Sequence, residues 1–420
     1  MKKKIKLNNF LLNLFFIAFF LRFSSELPAS FYNVGWIDPI FFPFTKVFSF
    51  FLLITAVFII MLNKPQIILK KHLFKDTLLI ICSFICSSLL AIWTYHTIGM
   101  PKTGILIVFL RYIIEIAIVF VVFKTVKSRF DYRFIFNRLI QPIILLTIFI
   151  SYLQIFTSSY QNIQGVYRLP GPFSNPNVCA SFLSLFIAIL TYDYAYRKSK
   201  YLNIILIILL EILLWKTGSM TSIFINLLFF FLIFIHKKLY KSLVFYYSFP
   251  VAVISSAIYI YLKWDSILFR VSKVFNLDDF ELSSASSISW RFEAWQNYLA
   301  QIDSFFEVFF GLGLGTHRFI FLNGYSNNLS YVFEAPGTHN DYLGIFVDMG
   351  LVGLVVFFYL IYKVIRVINK KIAIDKNMIT IKLFFYCFLV SMLMDNYIDG
   401  ILMMTFLIFL VTTIKSTNKI

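Results

Sequence analysis

The chain has 420 residues, 60% of them hydrophobic and only 14% charged, with a mean hydropathy of +0.82. A soluble domain carries about 25% charged residues, so no water-exposed surface is large enough to cover this much apolar chain, and the solvent must be lipid. The formal charge of +18 would suit a nucleic-acid binder, but its distribution along the chain excludes that partner, as shown below.

Lipid leaves backbone polar groups unsatisfied unless the spans are helices or a closed barrel. The apolar runs are long and do not alternate, so helices are expected. Lys2, Lys3, Lys4 and Lys6 precede an apolar run from Phe10 with no clean small-residue cleavage site. It reads as an uncleaved first span. Spans follow at about 8–23, 46–63, 77–95, 104–123, 139–157, 177–194, 202–215, 220–236, 243–262, 342–365, 379–394 and 398–414. Residues 1–262 thus form a transmembrane bundle of spans 1–9, residues 263–341 a large loop, and residues 342–420 spans 10–12 with a tail. Cys82, Cys86, Cys179 and Cys387 fall in or beside apolar spans and read as packing residues, not a disulfide framework.

With the N-terminus inside, 27 of the 38 basic residues lie on inside segments. Every inside loop is basic, and the short outside loops hold one or two charges. This is the positive-inside pattern, and it accounts for the net charge without nucleic acid. The 263–341 loop is then extracytoplasmic. Trp264, Phe280, Trp290 and Trp295 give it enough apolar content for a small helical cap.

Charges inside spans are costly and are usually paired or functional. Arg111 and Glu115 stand four apart and can pair on one helix face, whereas Glu211 has no partner nearby in sequence. A polysaccharide or ion-coupled transporter would use these three, but the expected inverted repeat is absent and one large loop stands in its place.

The 158–176 loop carries Arg168, Gly171, Phe173, Asn175 and Pro176, with Asn177 following. Its bland reading makes Asn177 a helix cap and Arg168 a surface charge. Its functional reading makes Arg168 an anion ligand on a face that otherwise avoids cations. The large loop offers Ser289, Trp290, Arg291 and Trp295, where an aromatic belt with a snorkelling cation is the simple alternative. Gly311, Gly313 and Gly315 precede His317. No strand precedes them and no Walker lysine follows, so a tight turn approaching another backbone is expected instead of a nucleotide loop. Finally Pro336, Gly337, Thr338, His339, Asn340 and Asp341 lead into the tenth span, which carries Gly350 and Gly353. His339 at a bundle mouth can accept a proton from a hydroxyl; the plain alternative is a cap by Thr338 or Asn340. Metal ligation has little support, Asp278, Asp279 and Glu281 reading as a solvated acidic run.

Taken in order, these segments resemble the O-antigen ligase and polymerase superfamily of bacterial envelope glycan assembly. His339–Asn340, nine residues, then Gly350 and Gly353 reproduce its HN-x9-GxxG signature. Arg168 to Asn177 is similar to its mid-chain segment, and Arg291 with Trp295 and the 311–315 glycines to its loop pattern. One departure stands out: where the family often has Ser-Arg-Gly, this chain reads Lys216, Thr217, Gly218, Ser219, Met220.

The resemblance implies an all-α polytopic bundle of about twelve spans, GT-C-like, in the bacterial cytoplasmic membrane with an extracytoplasmic active face. It implies transfer of a glycan from a polyprenyl-diphosphate carrier to a hydroxyl on a glycan or lipid-core acceptor, by inversion and without metal or cofactor. Repeat-unit polymerisation is favoured slightly over ligation. On this resemblance His339 is the base, Arg168, Arg291 and Lys216 hold the diphosphate, and Asn175, Asn177, Asn340, Gly350 and Gly353 support them. Membrane lipid and envelope assembly proteins such as a flippase or chain-length regulator are the implied partners.

Overall fold

The computed structural model describes residues 2–24, 27–36, parts of 47–58, 136–163, 166–173, 175–197, 201–236, 287–314, 316–317 and 340–393. The expected spans near 77–95, 104–123, 243–262 and 398–414 lie outside these residues, as does most of 46–63. So does loop segment 263–286.

The described chain is mainly helical. Helix α1 covers Lys2–Ser24 and α2 Leu27–Asn33. A π-helical turn, Phe136–Ile140, runs into α3, Gln141–Phe156. Pro142 has no N–H for the carbonyl four residues back, and a wider turn just before it accommodates the loss. Next come α4, Pro176–Arg197, α5, Tyr201–Thr217, and α6, Met220–His236. Beyond the undescribed stretch lie α7, Ser287–Leu299, α8, Phe305–Phe310, α9, Asp341–Ile372, and α10, Met378–Ser391. Each expected span that falls wholly on described residues coincides with one of these helices, within a few residues at most ends. The largest difference is at α9, which runs on to Ile372.

One element departs from the all-α expectation. Strands β1, Gln161–Ile163, and β2, Val166–Arg168, pair antiparallel with Gln161 opposite Arg168. Ile163, Val166 and Tyr167 are residues that suit a pleated surface, and Gly165 lies between the strands in sequence, a short-hairpin signal.

Among the described residues three helices are long and apolar enough to cross a membrane: Phe136–Phe156 (21 residues), Pro176–Tyr194 (19) and Asp341–Ile372 (32). Asn13–Ser24, Met220–His236 and Met378–Ser391 are shorter apolar helices. Helix α4 is the central one. Phe182, Leu183, Phe186, Ile187, Ile189 and Leu190 are all fully buried, and α4 packs against α5, α6 and α10. Phe173 stacks on Phe182 at 4.5 Å, and Phe23 meets both rings edge-on. Large apolar side chains such as Phe149, Phe224 and Phe231 are exposed on the outer helix faces. Such faces would drive aggregation in water and are the expected surface in lipid. Helices α9 and α10 close as a hairpin: Asp341 N–H donates to the Met392 carbonyl at 2.9 Å and Tyr342 Oη to that of Leu389 at 2.7 Å.

Candidate functional site

The described site residues gather in two groups. The first centres on Arg168, the last residue of β2. Leu169 N–H bonds the Lys216 carbonyl at 3.1 Å, which lays the end of the ribbon over the α5–α6 turn. There Arg168 Nε donates to the Thr217 carbonyl at 2.7 Å, and Nη2 donates to Asn177 Oδ1 at 2.6 Å. Thr217 ends α5, where the exposed carbonyls carry the negative end of the helix dipole, so a cation is favoured at that spot. Gly218, at φ +63°, turns the chain beneath the guanidinium, and a Cβ there would lie 3.4 Å from Arg168 Nε.

Asn177 is available to Arg168 because its neighbour does the capping. Asn175 Oδ1 accepts from Asn177 N–H at 2.8 Å, with Pro176 opening α4, the usual place for a proline. Of the two readings of Asn177 the bland one therefore falls: Asn175 caps, and the Asn177 side chain aims the arginine. Gly171, at φ +59°, has no room for a Cβ, which would lie 2.6 Å from Cys179 Sγ and 2.8 Å from Ser151 Oγ. Its carbonyl accepts from Ser30 Oγ and from Gln154 Nε2. Trp36 Nε1 donates to Ser159 Oγ at 2.6 Å. Segments from α2, α3, α4 and the α5–α6 turn thus lock the loop that bears Arg168. Lys216 is exposed on the same turn, and Met220 is exposed at the start of α6. The structure brings together Arg168, Asn175, Asn177 and Lys216.

The second group lies where the 305–317 segment crosses α9. Gly311, at φ +78°, lies so close to α9 that a Cβ would be 2.4 Å from the Asp348 carbonyl carbon. A Cβ on Gly350 would likewise be 2.4 Å from the Phe309 carbonyl carbon. Gly350 is non-helical, with φ 63° and ψ −162°, a region that only glycine adopts readily. The kink turns two carbonyls outward: Leu312 N–H takes that of Val347 at 2.7 Å and Gly313 N–H that of Asp348 at 3.1 Å. Gly353 lies on the next turn, where a Cβ would meet Met349 Cβ at 2.2 Å. The glycines of the loop and of the span are thus two sides of one backbone crossing, as the tight-turn reading of residues 311–313 expected. Arg291 lies on α7, half-buried, one turn before Ala294 and Trp295. Ala294 and Tyr298 pack with Leu312 and Val347, which seats α7 on the same part of α9.

Asn340 is the cap of α9, its Oδ1 accepting from Leu343 N–H at 3.1 Å. His339, Gly315 and the Asp278–Glu281 run lie outside the described residues, as do Arg111 and Glu115. Glu211 does have a partner: buried Asn226, on α6, donates its amide to Glu211 Oε1.

One functional candidate was missed in the sequence. His317 is buried, with Nδ1 2.9 Å from Asp348 Oδ2 and its backbone N–H bonded to Asp348 Oδ1 at 3.0 Å. His317 reads in sequence as an incidental member of a glycine turn; the structure makes it half of a buried pair. The signal was Asp348 itself, an acid within an apolar helix two turns beyond Asp341 on the same face.

Residues 202–358 match the family described as O-antigen ligase. The chain carries the O-antigen ligase segment. The segment begins in α5, spans a little over a third of the chain and ends in α9. It takes in Lys216, Arg291, His339, Asn340, Gly350 and Gly353; Arg168, Asn175 and Asn177 lie upstream of it. The resemblance drawn from HN-x9-GxxG is thereby borne out. The family is one of ligase- or polymerase-type glycan transfer in a membrane, with a glycan and a lipid-linked substrate, and the apolar helices agree with an integral membrane protein. No curated protein matches the chain.

Proposed function

We propose that this protein transfers a glycan from a polyprenyl-diphosphate carrier to an acceptor hydroxyl at the extracytoplasmic face of the bacterial cytoplasmic membrane. The observation that carries the reading is the arginine held by Thr217 and Asn177 beside exposed Lys216, in a chain with the O-antigen ligase segment.

The chemistry follows from the charges. The bond between the anomeric carbon and the diphosphate oxygen breaks, and the diphosphate leaves on its lipid with both electrons. Fixed cations stabilise that developing charge without reorganising. Arginine's planar fork matches phosphate oxygens in two contacts, whereas lysine acts as a point charge. Arg168 and Arg291 are the principal ligands, and Lys216 supplies charge on the turn where Met220 replaces the family arginine. The acceptor hydroxyl attacks the opposite face, forms the new carbon–oxygen bond with inversion, and gives its proton to His339. No metal is required for charge neutralisation. Repeat-unit polymerisation is favoured over ligation because the Met220 departure marks a divergent member of the superfamily.

The direct test is transfer by the purified chain in vesicles supplied with a polyprenyl-diphosphate-linked repeat and an acceptor. Transfer that persists in excess chelator is expected, and strong inhibition would sink the metal-free mechanism. In a deletion strain, single repeats on the surface are expected for a lost polymerase. Long chains stranded on the carrier would instead identify a ligase.

A further inference from the structure

Helix α8 shows an apolar face that is exposed among the described residues and that the proposed chemistry does not use. Phe305, Phe306, Phe309 and Phe310 are 79, 54, 37 and 37% exposed. They meet in two tilted i, i+4 ring pairs, 305 with 309 at 4.6 Å and 306 with 310 at 4.8 Å. At helical spacing the four cover an arc of about 140°. Glu307 points away from that arc and closes a capping box with Ser304.

The depth of this face follows from what α8 touches. Its last residues abut Gly350, nine residues into α9, or about 14 Å along the axis from its start. The cytoplasmic limit of the span is set by its basic residues, of which Lys363 is the first and Lys370 and Lys371 the last. A hydrocarbon layer of about 30 Å takes about 20 helical residues. Counting back from Lys363 puts the outer edge of that layer near Leu343. Counting from Lys370, with Lys363 and Arg366 snorkelling, puts it near Gly350. On either count α8 lies at or below the edge of the acyl chains.

Most backbone donors of this segment, though not the Phe305 and Phe306 N–H groups, meet the condition that such a depth imposes. A short segment that does not span survives there only if its polar groups are paired. Asp303 and Ser304 N–H both bond Glu307 Oε2, and Glu307 N–H bonds Ser304 Oγ. Val308 and Gly311 N–H take the Ser304 and Glu307 carbonyls, and Leu312 and Gly313 N–H take those of α9.

From depth, apolar face and paired backbone together, we infer that α8 is a membrane-embedded anchor whose four phenylalanines sit among the acyl chains of the outer-leaflet phospholipids. It pins the large loop to the bilayer beside the Gly350 kink. The inference rests on the extracytoplasmic placement of the start of α9, not on the transfer chemistry.

Photocrosslinking tests it. Benzoylphenylalanine is placed at Phe306 or Phe310 in the full chain, in phosphatidylethanolamine–phosphatidylglycerol vesicles with added polyprenyl phosphate. Phe149, exposed on α3, serves as the lipid-facing reference and shows that the chain has inserted; exposed Gln301 is the loop reference. Phospholipid adducts at Phe306 and Phe310 should match Phe149 and exceed Gln301 at least about tenfold. Adducts within the protein, adducts chiefly with polyprenyl phosphate, or a yield no higher than at Gln301 would each overturn it. A chain inactive in glycan transfer that still forms phospholipid adducts would overturn the transferase reading and leave the anchor standing.

Discussion

The Arg168 group and the Gly311–Gly350 crossing hold their parts in opposite ways. Around Arg168 the chain is held by side chains: Asn177 and the Thr217 carbonyl fix the guanidinium, while Ser30, Gln154 and Trp36 fix the loop beneath it. At the crossing the close approach is made by backbone, with the buried His317–Asp348 pair beside it. Two glycines remove the side chains that would keep the segments apart, and main-chain bonds close the gap. Polar side chains can aim a charge but can be lost one bond at a time. A backbone crossing is rigid and fails as a unit when either glycine gains a Cβ. The first arrangement suits a ligand for charge, the second a fixed mount for the loop and for the residues that open α9.

The contrast can be broken in graded steps. His339 precedes the Asn340 cap in sequence, and as the proposed general base its loss should have the largest effect. His339→Ala should slow turnover about 100- to 10,000-fold while the lipid-linked donor still binds. Wild-type turnover should itself fall with acidification, as an ordinary imidazole gains its proton at about pH 6–7. Turnover rates paired with donor-binding isotherms check this, and near-normal turnover in the variant would eliminate the base. His317 is no neutral control here, because its replacement breaks the buried pair with Asp348.

Arg168→Ala should cost about 100- to 1,000-fold in transfer, with lysine an incomplete substitute. Equal initial rates for the alanine variant and the parent would remove Arg168 from the diphosphate site. Gly350→Ala tests the mount. The clash with Phe309 and the strained φ should lower stability by about 1–3 kcal/mol or more, read as a lower unfolding temperature in detergent. An unchanged transition would mean that the crossing is loose.

Smaller again is Asn177→Ala, which removes one bond to a charged group, worth about 1.5 kcal/mol or a little over tenfold in rate. Its signature is reduced transfer with an unchanged unfolding temperature; a purely structural role would give the reverse. The least effect is expected from Asn340→Ala, the loss of one helix cap at about 1 kcal/mol. Thermal unfolding should register it while the rate per folded molecule stays near that of the parent.

Much of the architecture was legible in the chain because hydropathy in lipid is a strong local signal. Helices α5 and α6 fall where the runs 202–215 and 220–236 placed them, although the turn between them is only Gly218 and Ser219. The resemblance grouped Arg168 with Lys216, but how their segments meet was not legible, since 48 residues separate them and the Leu169–Lys216 and Arg168–Thr217 bonds that join them are tertiary. The ribbon was hidden in a loop too short for alternation to register. Two readings of Asn177 stayed open because Asn175 and Asn177 both have cap chemistry, and only geometry distinguishes which carboxamide turns back to the helix and which reaches the arginine. Asp348 escaped notice because one acid in an apolar run looks incidental until its partner is seen.

What the sequence determined by itself was the solvent, the helical character and the likeness to the O-antigen ligase family, for these depend on composition, periodicity and motif spacing, which are local properties. The tertiary structure alone decided which residues work together: Asn177 with Arg168, His317 with Asp348, and the loop glycines with Gly350. Those pairings join segments that lie far apart along the chain, and hydrogen-bond direction and the space left by a missing Cβ are properties of packed backbone that no linear pattern encodes.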